Sequence, residues 1–516
     1  MRFRGKDTQT NFLKRLYDCG SFNSSKGKEM ESKSNILIGW ASRDATPAGK
    51  VNLAGQFNMR VTKEIKDPLS VTALAVSSQD NKDSFIFVSC DTVTIPAALL
   101  EECRKIIKAE AIYFPIEKLV LNATHTHTAQ DTRDGGYNYS TLTQEESKDL
   151  LSPKENMELL AGKIAEAAIE SWNKRKPGLL AWGLSYAVVG RNRRAVYLKD
   201  FAEQPDYKET PGMKIEKNAM MYGNTANPFF SHIEGYEDHT VQFLFTFNPD
   251  KKLTGSIINI VSPSQETEGI SQVSADFWHD VRIQLRKQYG ENLFILPQCS
   301  AAGDQSPHLM LNKKAEQRML ELKGIDSRQE IAQRIKSAFD DAYGWAPNDL
   351  RGDLQLKHIC KKINLSKRTV TEEEYNKNIE WIKQFQTMQL TSSQERFLSR
   401  CQSVVERYEN QLKGIFPVQP VEIHVIKLGD IVFATNPFEL FLDYGVRIQA
   451  GSPAVQTFIV QLAGKGTGTG GTYLPTKKAE IGGGYSASVY CNVVGSKGGA
   501  ELVEETLNAI NKLWQE

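Results

Sequence analysis

Short apolar runs alternate with longer amphipathic stretches along most of the chain. Runs of about four to eight apolar, β-branched and aromatic residues between polar turns are typical of strands, whereas apolar positions spaced by three and four are typical of helices. The strands predicted in this way are 71–76, 85–89, 118–121, 179–189, 240–247, 255–261, 293–296, 421–426 and 431–434. The predicted helices are 96–111, 155–172, 275–289 and 500–514.

The interleaving of strands and helices predicts an α/β (mixed α+β) fold in which helices cover mixed β-sheets. Residues 372–412 are highly charged and helical in pattern, and strands resume after them. We interpret this segment as a helical hairpin, a lid or a packing element, inserted into one large domain over residues 35–516. Residues 1–34 are mostly polar and are predicted to form a flexible leader.

Composition and charge exclude several classes of function. The chain carries 63 Lys and Arg against 62 Asp and Glu, so it lacks the basic surplus typical of nucleic-acid-binding proteins. No apolar run approaches the roughly 18 residues of a membrane span, and no apolar signal segment precedes the domain. These features predict a cytoplasmic protein without stable membrane insertion, acting on a small-molecule substrate. The seven scattered cysteines favour free thiols, and the pattern leaves the oligomeric state open.

The segment 122–128 carries the first candidate chemistry. His125 and His127 follow a predicted strand, and side chains at i and i+2 of an extended chain project to the same side. Both imidazoles would then face one cavity, as one metal ligand and one proton-handling or oxyanion-binding group. Two unrelated histidines on a polar loop would show the same short pattern.

Two further segments contain reactive side chains. The loop 299–307 follows an apolar strand and would expose Ser306 on a turn, although an ordinary turn has the same composition. Glu439 follows another strand, where it could be a ligand or simply a helix N-terminal acid. Tyr473 and Tyr485 stand 12 residues apart around a glycine-rich stretch, 464–471, in positions that also fit structural tyrosines.

Taken together, these segments resemble the catalytic domain of the neutral/alkaline ceramidase family from about residue 36 to residue 512. That family has a Thr-His-Thr-His segment, an Asn-Arg segment, a Gly-Asp-x-Ser-Pro loop, a glutamate and two tyrosines in this order. The resemblance implies a catalytic set and a Zn²⁺ site. The implied catalytic residues are Ser306 as nucleophile with His127, Arg193 and Tyr485, and the implied metal ligands are His125, Glu439 and Tyr473. Asp304, in the serine loop, is a predicted substrate contact. Gln265, just past Ser264, could also contact the substrate, although an ordinary loop amide fits this position too.

The chain departs from the family in two places. Where the family has a second zinc histidine, this sequence has Ser262, which predicts a weaker Zn²⁺ site, another divalent metal or none. His232, His239 or His279 could replace that ligand, although each also fits an ordinary polar histidine. The chain also ends about thirty residues after Tyr485, so we expect it to lack the family's C-terminal immunoglobulin-like domain.

The leading functional interpretation is a metal-dependent hydrolase of an acyl bond, amide or ester, in a soluble substrate. A carbohydrate-active enzyme, glycoside hydrolase or lyase, could use the same scaffold, with His127 and the tyrosines as acid and base. A non-catalytic relative that binds a small ligand is the third interpretation, and Ser262 favours it.

Overall fold

The computed structural model describes residues 34–110, 113–133, 135, 137–205, 217–464 and 473–515, and Ser34–Glu516 form one compact unit. The predicted leader lies outside the described residues except for Ser34, as does the glycine-rich stretch after Gly464. The strands are β1 Ile36–Asp44, β2 Val51–Asn52, β3 Val61–Thr62, β4 Ser70–Ser78, β5 Ser84–Cys90, β6 Leu119–Ala123, β7 Lys176–Pro177, β8 Leu179–Tyr186, β9 Arg191–Asn192, β10 Arg194–Tyr197, β11 Ala219–Met221, β12 Phe230–Ile233, β13 Thr240–Phe247, β14 Leu253–Ile260, β15 Phe294–Cys299, β16 Gln305–Ser306, β17 Leu356–Ser366, β18 Val418–Leu428, β19 Ile431–Thr435, β20 Glu439–Leu440, β21 Gln456–Val460 and β22 Tyr473–Leu474. The α-helices are α1 Ala97–Ala109, α2 Gln144–Ser147, α3 Pro153–Asn173, α4 Phe277–Tyr289, α5 Lys313–Lys323, α6 Ser327–Tyr343, α7 Glu372–Phe385, α8 Ser392–Leu412, α9 Leu442–Gly451, α10 Lys477–Gly482 and α11 Ser496–Gln515.

Three mixed sheets form the framework. Sheet 1 has the strand order β6-β5-β4-β1-β7, sheet 2 has β15-β14-β13-β8, and sheet 3 has β17-β18-β19-β21. Each sheet is antiparallel except for one parallel pair, which is β5 with β6, β14 with β15, and β19 with β21. Two neighbouring parallel strands cannot be joined by a tight turn. A long connection therefore starts at the carboxyl end of the first strand in each of these pairs.

The three sheets meet on one shared apolar core. Phe87 of sheet 1, Leu244 of sheet 2 and Phe433 of sheet 3 all belong to it and are completely buried. The Phe433 ring stacks on Phe458 with centroids 4.4 Å apart and lies 5.3 Å from the ring of Phe87. Since side chains alternate between the two faces of a strand, each sheet has a second apolar face that must be covered.

Helices cover these outer faces. Helices α1 and α3 pack on sheet 1, α4 and α6 on sheet 2, and α9 and α11 on sheet 3. The prediction of a mixed α/β fold with helix-covered sheets is therefore confirmed. Within the described ranges, no helix combines the length and the apolar character that crossing a bilayer requires.

Helices α7 and α8 occupy the segment in which the sequence predicts a helical hairpin. Trp381 and Phe385 of α7, with Phe397 and Cys401 of α8, are buried in the apolar cluster on the outer side of sheet 3. The hairpin is thus packed onto the domain through an apolar face, as its amphipathic pattern requires.

Several predicted boundaries shift for identifiable reasons. The strand predicted over 179–189 ends at Tyr186, because its partner β13 begins at Thr240, the residue paired with Tyr186. The helix predicted from residue 155 begins at Pro153, where Ser152 and Glu155 form a capping box.

Candidate functional site

The candidate site lies in the connections that follow the parallel strands. The loops after β6, β14, β15, β19 and β21 contain the predicted site residues except Arg193, which follows β9, and Tyr485, which follows α10. Backbone hydrogen bonds join these loops, from Ser264 N to Thr124 O at 3.2 Å and from Gly303 N to Leu440 O at 2.7 Å. The carboxyl ends of parallel strands are the usual place for sites in α/β proteins.

Two short ladders bring distant segments together. β9 pairs antiparallel with β16, which sets Ser306 opposite Arg191 and places Arg193 N 2.9 Å from Asp304 O. β20 pairs parallel with β22, which sets Glu439 opposite Tyr473. These ladders place the serine loop beside the segment that carries Arg193, and Glu439 beside Tyr473.

His125 is oriented by its own backbone. Its φ of 66° is left-handed, a conformation that costs a non-glycine residue free energy and is common at functional sites. The Nδ1 atom lies 2.5 Å from Val93 O, and because a carbonyl only accepts, Nδ1 carries the hydrogen. The Nε2 lone pair therefore points inward, 3.3 Å from Glu439 Oε2.

The two imidazoles converge, as the sequence predicts, although the geometric reason was wrong. Their Nε2 atoms are 3.3 Å apart, but the chain at His125 is left-handed and not extended. The intervening Thr126 turns away and donates its hydroxyl to Ser274 O at 2.9 Å. The two rings therefore converge because the backbone of His125 is left-handed.

His127 is held as a neutral ring. Gln265 Oε1 accepts from Arg193 Nη1 at 3.0 Å, so the amide nitrogen of Gln265 is the group 2.7 Å from His127 Nε2. His127 Nδ1 lies 3.0 Å from Glu268 Oε2. Burial is the main cause that lowers the pKa of His127 to about 4, and the carboxylate of Glu268 opposes it only in part.

Arg193 connects the parts of the site. The guanidinium is almost completely buried, and it donates to Tyr222 Oη at 2.9 Å and Gly303 O at 3.0 Å as well as to Gln265. Its Nη2 lies 3.4 Å from Tyr473 Oη. Its Nε hydrogen has no hydrogen-bond partner within the described part of the chain. A buried N–H without an acceptor destabilises the folded protein unless a ligand or a water accepts its hydrogen bond.

Ser306 is buried, and its hydroxyl oxygen accepts two hydrogen bonds. Tyr222 Oη donates from 3.0 Å and the backbone N–H of His308 donates from 3.1 Å. The side chain of His308 continues to Glu268, with Nε2 3.2 Å from Oε1. Tyr222 is partly exposed and, like His125, has a left-handed backbone, with φ of 55°.

Sequence reasoning missed Tyr222, Glu268 and His308, all of which contact predicted site residues. His308 follows Ser306 by two residues and Glu268 follows Gln265 by three, so both were near recognised segments. Tyr222 lies in an irregular region that carries no motif. A left-handed, bulky residue is a structural signal that sequence alone does not reveal.

Both carboxyl oxygens of Asp304, a predicted substrate contact, accept hydrogen bonds from the protein. Its Oδ2 accepts from Asn192 Nδ2 at 2.9 Å and its Oδ1 accepts from Leu442 N at 2.9 Å, so protein donors occupy both oxygens. Burial raises the pKa of Asp304 to about 6. The carboxyl group thus links β9, the serine loop and the start of α9.

Tyr473 and Tyr485 pack edge to face with centroids 5.7 Å apart. Burial and the nearby carboxylate of Glu439 raise the pKa of Tyr473, and burial raises the pKa of Tyr485. Tyr485 also contacts the Phe57 ring at 5.3 Å. Both phenols are therefore protonated near neutral pH.

The donor atoms implied for Zn²⁺ fit a divalent cation. The Nε2 lone pair of His125 faces an oxygen of Glu439 at 3.3 Å, and two such acceptors repel unless a cation or a proton lies between them. Tyr473 interacts with the same carboxylate. One nitrogen and two oxygens match the three protein ligands of a catalytic zinc site.

Ser262 does not supply a ligand in place of the second zinc histidine of the ceramidase family. Its hydroxyl is buried and donates to Pro263 O at 3.2 Å. Two of the alternative histidines have contacts elsewhere, with His232 Nδ1 3.0 Å from Ser231 Oγ and His239 Nε2 3.3 Å from Glu237 Oε2. His279 lies in the first turn of α4.

Solved structures of ceramidases share this fold. A neutral ceramidase from Pseudomonas aeruginosa aligns with a TM-score of 0.64 and 16% identity, over 93% of this chain and 74% of that one. A ceramidase complexed with C2 aligns with a TM-score of 0.61 and 15% identity, over 93% and 76%. No protein-family model and no curated protein matches the sequence. The chain therefore has a neutral-ceramidase-like fold.

Proposed function

We propose that the protein is a hydrolase that cleaves an acyl bond, amide or ester, in a soluble small-molecule substrate, with Ser306 as nucleophile. The ceramidase-like fold supports a hydrolase scaffold. The observation that carries the proposal is the buried Ser306 hydroxyl with its two donors, connected through Tyr222 to Arg193 and the histidine pair.

Ser306 Oγ would attack the acyl carbon, forming an ester bond to the enzyme while the amine or alcohol leaves. The Tyr222 hydroxyl and the His308 N–H would stabilise charge on the serine oxygen as its proton departs. His127 would accept the serine proton at Nε2 once the substrate displaces the Gln265 amide from it, and would then pass that proton to the leaving amine or alcohol. Its ring is neutral, and Glu268 lies on the opposite side to stabilise the charged form. Water would then release the acid from Ser306.

Arg193 would bind an oxygen of the substrate. Its Nε hydrogen is the donor left without a protein acceptor among the described residues, and its charge suits an oxyanion or a carboxylate. Glu268 and His308, which pair with each other and adjoin Ser306 through the His308 N–H, favour a polar substrate over a purely apolar one. Tyr222 is partly exposed, which is consistent with access to Ser306 from solvent.

A divalent metal, for which we propose Zn²⁺, would be held by His125, Glu439 and Tyr473. Such an ion, when bound, polarises a carbonyl and makes water a better nucleophile. Before substrate binds, Gln265 would orient the His127 ring and hold Arg193 in place.

Replacing Ser306 by alanine tests this proposal. We expect S306A to lose turnover of N-acyl amides and esters by at least roughly 1,000-fold, because the nucleophile is removed. Ser300→Ala, in the same loop, is the matched control and should keep activity. Release of free acid and circular dichroism of both variants are the measurements. Undiminished release by S306A contradicts the covalent step, and a new reducing sugar or an unsaturated product without free acid supports a carbohydrate-active enzyme instead.

A further inference from the structure

A second cluster of metal-ligating side chains lies on sheet 3 and shares no residue with the candidate site. Cys360 of β17 pairs with His424 of β18, and Glu422 is two residues before His424 on the same face. The nearest ligand atoms of these three side chains all lie within 4.8 Å of one another. His424 and Glu422 are buried, whereas Cys360 is partly exposed.

The hydrogen bonds around His424 set its tautomer. His358 Nδ1 lies 3.1 Å from Ser84 O, which only accepts, so this nitrogen carries the hydrogen. His358 Nε2 therefore accepts, and the donor 2.9 Å away is His424 Nδ1. The Nε2 atom of a neutral His424 is consequently a lone pair directed at Glu422 Oε1, 3.2 Å away. Two acceptors at this distance require a cation between them or a proton on the ring.

The surroundings resemble the outer layer of a metal site. A ligating histidine usually donates its other N–H to a fixed acceptor, and ligating carboxylates are usually hydrogen-bonded in turn. His424 donates to His358, and Arg104 holds Glu422 with Nη2 2.6 Å from Oε1 and Nη1 3.3 Å from Oε2.

We propose that Cys360 Sγ, the Glu422 carboxylate and His424 Nε2 bind a divalent cation of borderline softness, with Zn²⁺ as the best match. One sulfur, one oxygen and one nitrogen suit Zn²⁺ and do not suit Mg²⁺ or Ca²⁺, which prefer oxygen alone. Binding would replace the thiol hydrogen of Cys360, so one proton leaves and a sulfur–metal bond forms. The ion would join β17 to β18, and through Arg104 to α1.

Cobalt substitution tests the proposal in the intact protein. Co²⁺ bound to a thiolate gives a near-ultraviolet charge-transfer absorption, which the nitrogen and oxygen ligands His125, Glu439 and Tyr473 do not give. We expect this absorption to rise to saturation with added Co²⁺, to disappear in Cys360→Ser and to be displaced by Zn²⁺. Cys299→Ser, a control with a buried sulfur elsewhere, should keep it. No absorption at saturating Co²⁺, or the same absorption in C360S, overturns the proposal.

Alkylation of the unmodified sequence gives a readout that no folding defect can affect. Cys360 is the one partly exposed cysteine among those described, so it should react with iodoacetamide before the others. Zn²⁺ should slow its alkylation at least tenfold, as followed by peptide mass spectrometry that assigns each cysteine separately. An unchanged rate at saturating Zn²⁺ overturns the proposal.

Discussion

The ring of His127 lies where it does because Gly55 leaves room for it. A Cβ on Gly55 would come within 2.4 Å of the His127 ring, and the φ of Gly55 is 98°. We expect Gly55→Ala to displace the ring and to lower kcat/KM roughly 100-fold, since a displacement of about 1 Å has effects of that size. Steady-state kinetics with an acyl substrate measures this.

Gly414 provides the control for Gly55. Its φ is 73°, and a Cβ there would meet nothing within 4 Å. Gly414→Ala should therefore cost about 1 kcal/mol of stability for the left-handed backbone, as Gly55→Ala also does, but leave kcat/KM unchanged. Equal activity losses in both variants would show that backbone strain, and not the His127 ring, is responsible.

Asp304 should make stability depend on pH. Its pKa is raised from 3.8 to about 6 in the folded protein, so between these values the folded state holds a proton that the unfolded state has lost. The contribution of Asp304 is therefore fully present below pH 3.8 and is lost as pH rises through 6. From pH 4 to pH 7 the loss is about 2 kcal/mol.

Urea unfolding of the wild type and of Asp304→Asn at several pH values checks this prediction. The difference between the two proteins removes the contributions of distant carboxylates, which are the same in both. The wild type should lose stability relative to D304N as pH rises from 4 to 7. A difference that is flat, or that has the opposite sign, would contradict a raised pKa.

The residues found by sequence reasoning are those that belong to recognisable segments. His125, Ser306 and Glu439 lie after strands whose apolar runs are visible in the sequence, so their approximate placement was predictable, whereas the strand before Tyr473 was not predicted. Their contacts were not, because they depend on one left-handed residue and on ladders of two residues each. Whether they act as proposed stays a prediction.

At the scale of elements, the hairpin of α7 and α8 reaches the site through aromatic contacts. Phe397 of α8 lies 6.2 Å from Phe57, and Phe57 lies 5.3 Å from Tyr485. We expect Phe397→Ala to cost about 3 kcal/mol of stability through the cavity it leaves. It should also lower kcat/KM roughly tenfold, because Phe57 and Tyr485 lose their support.

Phe385 of α7 is the matched position. It is buried in the same apolar cluster, and the aromatic contacts that lead to Tyr485 do not include it. Phe385→Ala should reduce the free energy of unfolding by a similar amount while kcat/KM stays near that of the wild type. Kinetics measured well below the unfolding midpoint of both variants separates the two. Equal losses of activity would show that the hairpin only stabilises the fold.

Clear apolar runs, more than length, decided which elements were predictable, and the long strand β17 was not predicted. Strands such as β13 and β14 carry apolar runs long enough to be recognised. The two-residue strands β9, β16, β20 and β22 carry no periodicity, although they assemble the site. Helix α6 was overlooked despite buried residues at helical spacing, such as Ile331, Ile335 and Phe339.

At the scale of the whole molecule, the shared core should couple the three sheets. Phe433 contacts both Phe458 and Phe87, which belong to sheets 3 and 1. We expect Phe433→Ala to cost about 3–5 kcal/mol. Because all three sheets use this core, amide exchange should accelerate in β5, β14 and β19 together.

Phe339→Ala gives the contrasting case. Phe339 is equally buried but packs only on the outer face of sheet 2, against Phe243 and Phe245. Its replacement should accelerate exchange chiefly in β8 and β13. Hydrogen–deuterium exchange of both variants under native conditions distinguishes faster opening of one sheet from faster opening of all three sheets. Identical exchange patterns would contradict a core common to the three sheets.

The division of the site among loops from three sheets has a consequence for engineering. The histidines, the serine and the glutamate each follow a strand of a different sheet, and each sheet is braced by its own helices. The supporting sheets can therefore stay unchanged while one loop is randomised, provided that its hydrogen bonds to the neighbouring loops are kept. One part of the site can thus be varied at a time, with selection acting on variants of a single short loop.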